Sequence, residues 1–256
     1  MKGCKRVVKR LWIGTGLAVA GAVACGGGFN PEAYPSPTAL FEASRTEYQN
    51  GNCGRAVRGL TRVVFELPAR DPRVAEARYL LGECRFNDND YLEAARELRR
   101  AADDFPTHEI APTALMRSGD ALAKLWKRVE LDPTYGEQAL SVYSEVLQRY
   151  PGSSAAELTR ERVGRLGDWF ALKDLKTGDF YFRIRAFDSA IIYYRSVIEH
   201  WAQSQHAPVA LMKLVETYHR IGYDEEATET CAHLRRFYSE AKGLGDVCPD
   251  SAATTS

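Results

Sequence analysis

The chain has 256 residues with 34 basic and 34 acidic side chains, so its formal charge is zero, and 45% of it is hydrophobic. That balance excludes the net basic surface that binding to a phosphate backbone requires. Five of the bases, Lys2, Lys5, Arg6, Lys9 and Arg10, crowd into the first ten residues, and the remainder carries 29 bases against 34 acids.

Behind that basic start, Leu11 to Val23 is mostly apolar with small residues, and Ala22, Val23 and Ala24 lead into Cys25. This is the layout of a signal peptide. Its apolar stretch is shorter than the roughly 20 residues a transmembrane helix needs, and no later stretch is apolar for that long. A leader over residues 1–24 and a tether over residues 25–35 are therefore predicted. The Ala-Val-Ala-Cys run resembles the lipobox of bacterial lipoproteins, which implies that Cys25 becomes the lipidated first residue. Each buried methylene of an acyl chain contributes about 0.8 kcal/mol, so several chains together anchor firmly. Gly26, in place of the Asp that retains many such proteins in the inner membrane, points to the outer one. The alternative is an ordinary secretory signal cut near Ala24, with Cys25 a bystander. Gly26, Gly27 and Gly28 open no helix after a strand and read as part of the tether.

After the tether the chain repeats itself. Ala56, Ala94, Ala139, Ala190 and Ala227 are each followed four residues on by Leu60, Leu98, Tyr143, Tyr194 and Cys231, one helical turn along the same face. Pro68, Pro106 and Pro151 stand twelve residues after three of these alanines, where a helix must stop. Upstream of the alanines lie further amphipathic segments, such as Arg73 to Phe86 and Ala207 to Ile221. Gly51, Asn89 and Gly222, five residues before their alanines, tolerate the left-handed turn that a helical hairpin needs. Successive alanines are 38, 45, 51 and 37 residues apart, at or above the roughly 34 residues of a tetratricopeptide repeat. The two long intervals predict extended helices in the third and fourth units. The fold class is all-α: a solenoid of about five tetratricopeptide-like hairpins, repeats 1–3 over residues 36–150 and repeats 4–5 over 151–240. The tail, 241–256, is expected to be partly disordered. Ser153 and Ser154 look like a helix N-cap, with Glu157 completing a capping box after Ser154.

Four cysteines remain beyond Cys4 and Cys25, namely Cys53, Cys84, Cys231 and Cys248, an even set with three possible pairings that fits an oxidising compartment. Cys53 and Cys84 fall on neighbouring helices, and Cys248 lies in a tail able to fold back on Cys231, which favours Cys53–Cys84 and Cys231–Cys248. The alternative at Cys231, a core position, is a buried free thiol. No catalytic, cofactor or metal constellation emerges. His108, His200, His206, His219 and His233 include no i, i+4 pair, and no close Cys-x-x-Cys occurs.

From Leu131 to Tyr194 the chain resembles the BamD (YfiO/ComL) family of outer-membrane β-barrel assembly lipoproteins. The matching residues are Asp132-Pro133-Thr134, Ala139-Leu140, Gln148 to Ser154, a long helix through Leu166, Phe180-Tyr181, Ala186-Phe187 and Ala190-Ile191. The resemblance implies a scaffold without enzymatic activity or cofactor, on the periplasmic face of the outer membrane. It implies two partners: a BamA-like barrel protein with POTRA domains at the C-terminal repeats, and unfolded outer-membrane proteins at the N-terminal ones. Arg183, Arg185 and Arg195 are the candidate residues toward the first. Tyr48, Tyr79 and Phe86, on first helices of the N-terminal repeats, are the candidate groove for aromatic-ended substrate segments, and inter-helix packing is the alternative role for each ring. Two features depart from the family. Arg185 replaces a glycine at the turn before Ala186, where positive φ costs roughly 1 kcal/mol or more, so that turn is expected to be rebuilt. Ile192-Tyr193 replaces an Asn-Arg pair. The competing reading is another periplasmic repeat adaptor, coordinating envelope or peptidoglycan processes.

Overall fold

The structure, a computed structural model, describes residues 29–249; the leader, Cys25, the triple glycine and residues 250–256 lie outside them. Ten helices pair into five hairpins: α1 (Pro37–Gln49) with α2 (Cys53–Glu66), α3 (Pro72–Asn87) with α4 (Tyr91–Asp104), α5 (Ala111–Leu125) with α6 (Thr134–Arg149), α7 (Ser154–Arg183) with α8 (Phe187–Trp201), and α9 (Ala207–Ile221) with α10 (Asp224–Phe237). A four-residue turn of helix, α11 (Leu244–Val247), follows, and no strand occurs among the described residues. The fold is the all-α helical repeat that the alanine periodicity predicts.

Local chemistry sets the helix ends. Ser36 accepts from the Ala39 N–H at 3.2 Å and Asp71 from the Arg73 N–H at 3.0 Å, each ahead of a proline that suits the first helical turn. At α7 the cap is Ser153, whose Oγ accepts from the Ala156 N–H at 3.1 Å. The capping box expected of Ser154 with Glu157 is therefore not formed, because Glu157 stands one residue too far along the helix. Pro68, Pro106 and Pro151 lie just beyond α2, α4 and α6, as expected.

Four hairpin turns are built alike. Gly51, Asn89, Arg185 and Gly222 sit at φ +77, +62, +62 and +77. The next residue's N–H reaches back five positions in each case, from Asn52 to Glu47, Asp90 to Arg85, Ala186 to Tyr181 and Tyr223 to Tyr218, at 2.8–3.0 Å. The turn at Arg185 is thus not rebuilt: two terminal hydrogen bonds outweigh the cost of one non-glycine residue in the left-handed region.

The third hairpin differs, since residues 126–133 join α5 to α6. The extra length of that unit lies in this connection and not in an extended helix, as α5 and α6 have 15 and 16 residues. The expectation of a long helix holds for the fourth unit alone, where α7 runs 30 residues. Trp126 and Val129 are the buried residues of this otherwise largely exposed connection. Lys173 of α7 holds it by donating to the Leu131 carbonyl at 3.1 Å, and Lys176 pairs with Glu130.

In the second, third and fourth hairpins the two helices meet at glycine. A Cβ placed on Gly82, Gly119 or Gly178 would lie 2.5 Å from Leu98 Cγ, Tyr143 Cε1 or Tyr194 Cε1 respectively. Those three partners are alanine-plus-four positions, and all five such positions, with their alanines, are buried. Cys53 is joined to Cys84, and Cys231 to Cys248, with Cα–Cα separations of 5.2 and 5.6 Å.

Gly119→Ala is expected to lower stability by about 1–3 kcal/mol, because Tyr143 has to move. Gly164→Ala, on α7 with open space around it, is expected to stabilise by up to about 1 kcal/mol through helix propensity. Urea denaturation of both variants checks the contrast.

Candidate binding cleft

These three glycines are each followed by an acid: Gly82-Glu83, Gly119-Asp120 and Gly178-Asp179. Because the glycine faces the partner helix, the acid one position on is turned about 100° around the axis, toward the helix's side. Arg117 of α5 exploits this. Its Nε and Nη2 donate to the two carboxylate oxygens of Glu83 at 2.7 and 3.0 Å, and its Nη1 donates to Asp120 at 3.0 Å. Asp120 also accepts from Tyr143 Oη at 2.8 Å and from Arg162 Nε at 2.6 Å. A charged network thus crosses from α3 through α5 and α6 to α7. Burial works against the Arg117 charge, but Glu83 and then Asp120 hold its pKa above the ordinary arginine value. Burial first, and then the negative Asp120, raise the Tyr143 phenol, which stays a neutral donor.

Over this network opens a cleft of about 550 Å³, lined by Phe86, Arg117, Tyr143 and Arg162 together with Trp126, Trp169, Lys124 and Lys127. The Arg117 guanidinium lies 4.2 Å above the Phe86 ring, a cation–π contact. Trp126 and Trp169 meet edge to face at 5.5 Å. Trp169 is 40% exposed, whereas Trp126 is buried and its indole N–H has no acceptor among the described residues. Lys124 and Lys127 are exposed, and neither has an acidic partner among the described residues. Aromatic walls, a charged floor and uncommitted cationic side chains suit an extended peptide or another ligand that joins a ring to an anionic group. No group of metal-ligating side chains occurs among the described residues.

Of the residues singled out in the sequence, Tyr48, Tyr79 and Phe86 come together around the Glu83–Arg117 pair. Burial, then the charge of Glu83, push the Tyr79 phenol up to about 12, and the same two causes raise Tyr48. Tyr79 and Phe86 also pack against buried core residues, and of the three rings Phe86 alone lines the cleft. The three arginines do not converge. Arg183 and Arg185 are exposed at the α7–α8 turn, and Arg185 borders a shallow depression with Phe187, Ile221 and Tyr223. Arg195 borders a different one, where its Nε donates to Tyr218 Oη at 3.1 Å. Cys25 lies outside the described residues. Sequence reasoning missed Glu83, Arg117, Asp120, Arg162, Lys124, Lys127, Trp126 and Trp169. The repeated glycine-acid pair was the available signal for the floor.

Among the described residues no helix is long and apolar enough to cross a membrane. A TPR repeats protein from Bacteroides fragilis has the same fold, with a TM-score of 0.52 over 84% of this chain and 96% of its own at 14% identity. The outer membrane protein assembly factor BamD of Caulobacter vibrioides is 30% identical over 155 residues, 60% of this chain; the match spans about half of that relative, 51%. BamD of Vibrio cholerae is 25% identical over 216 residues, covering 78% of this chain and 88% of that protein. The model of the YfiO family, described as outer membrane lipoprotein, matches residues 34–234, and with most of its length so matched the chain belongs to that family.

Proposed function

We propose that the chain is an outer-membrane protein assembly factor of the BamD type, anchored by a lipid on Cys25 to the periplasmic face of the outer membrane, that acts by binding and without chemistry. The cleft over Arg117 and Asp120 carries this reading. An aromatic-ended segment of an unfolded barrel protein places its ring against Trp169 and Phe86 and its carboxylate toward Lys124 or Lys127. The rings of Tyr48 and Tyr79 stand near the Glu83–Arg117 pair beside the cleft. Repeats 1–3, residues 36–150, form the substrate half together with the start of α7. Repeats 4–5, residues 151–240, present Arg183, Arg185 and Arg195 to a BamA-like protein with POTRA domains. The family description and the names of the BamD relatives support the assembly role.

A photoreactive residue in place of Tyr79 or Trp169 is expected to capture unfolded barrel proteins in cells, and one in place of Arg183 a POTRA-bearing protein. Capture of neither class, with other envelope proteins trapped instead, makes the chain a repeat adaptor and ends the assembly reading. In vitro, the pair Lys124→Glu with Lys127→Glu is expected to weaken an aromatic-ended peptide about tenfold, roughly 1.4 kcal/mol, while the same peptide with an amidated end loses little. Fluorescence anisotropy measures both. Cys25→Ser is expected to move the protein from the membrane to the soluble periplasmic fraction and to abolish palmitate incorporation, as fractionation and metabolic labelling read out.

A further inference from the structure

An array of hairpins leaves apolar surface on its last unit, because no further repeat packs there. Here residues 238–249 fold back onto it. Tyr238, Leu244 and Val247 pack against the core to which Leu211, Leu214 and Leu234 belong. Gly243, at φ +88, turns the strap, and α11 rests on α9. Among the described residues, Tyr238 Oη donates to the Ala202 carbonyl at 2.7 Å, and Arg235 donates to the carbonyls of Cys248 and Pro249 at 2.8 Å each. A covalent tie runs from Cys248, nearly fully buried, to Cys231 in α10.

The strap contains only four helical residues, far fewer than an isolated helix needs. Ordering its backbone costs more than three partly buried apolar side chains and a few carbonyl contacts return. Closure therefore depends on the covalent tie, which shrinks the number of open conformations.

We propose that the Cys231–Cys248 bond is the latch of this strap, and that the last hairpin is completed only when a disulfide-bearing oxidant acts on it. With the strap open, the Cys248 thiolate attacks the oxidant's disulfide, forms a mixed disulfide and releases one oxidant thiol. Cys231 then attacks the Cys248 sulfur and displaces the second. Two thiols of this chain become one disulfide, and the oxidant's disulfide becomes two thiols, so electrons and protons balance. The C-terminal face is thus assembled after the chain enters an oxidising compartment, and the chain is a client of the oxidant as well as a partner of whatever docks on its last hairpins. The inference stands independently of the proposed function.

Trypsin cleavage after the exposed Lys242 and hydrogen exchange across Leu211 to Tyr218 report the strap directly. In the full chain oxidised with glutathione disulfide, Lys242 is expected to resist cleavage and α9 to exchange slowly. Cys231→Ser with Cys248→Ser is expected to raise both rates at least tenfold and leave peptides of α4 to α6 unchanged. Wild-type protein reduced with dithiothreitol gives the same readout should the variant fail to accumulate, with Cys53→Ser/Cys84→Ser as background to remove the other bond. Equal cleavage and exchange in the latched and unlatched forms overturns the proposal, as does alkylation of both Cys231 and Cys248 in the oxidised chain.

Discussion

The fold depends on how near two helices of a hairpin can come. At Gly82, Gly119 and Gly178 there is no room for even a methyl group, and the large residue of the partner helix, Leu98, Tyr143 or Tyr194, fills the space. Close packing of this kind returns many small dispersion contacts per side chain and tolerates no change in volume. It also fixes the axial register of the pair, since a helix that slid by one residue would set a side chain against a ring.

The same constraint arranges the electrostatics. Once the glycine is committed to the partner helix, the acid beside it has a fixed direction, and Tyr143 and Tyr194 each reach the neighbouring carboxylate, Asp120 and Asp179, at 2.8 Å. Ring and acid lock together: the phenol that fills the glycine's space also satisfies the charge next to it. Arg117 and Arg162 then tie together hairpins that also share apolar cores. The charged floor of the cleft is thereby a by-product of helix packing, held in place before any ligand arrives.

The alanine-plus-four series, the prolines and the cysteine spacing were legible in the sequence because each acts within one or two helical turns or one helix pair. The Arg185 turn was misread for the opposite reason. A propensity describes one residue, whereas the turn is secured by hydrogen bonds from Arg185 and Ala186 back to Phe182 and Tyr181. The length of the third unit was assigned to helix and belongs to residues 126–133, since spacing counts residues without saying where they go. Trp126 and Trp169 are 43 positions apart and meet only because the connection folds onto α7, and Lys124 and Lys127 become notable only when no acid is found beside them. The core of the fold is written in local periodicity, and the cleft in contacts that local periodicity does not report.

Helix α7 touches α5, α6, α8 and α9. With 30 residues it is roughly 45 Å long. Along its length Gly167 packs against Trp201 and Gly178 against Tyr194, both on α8. The cleft residues Arg162 and Trp169 and the turn residue Arg183 thus stand on one uninterrupted run of helical backbone.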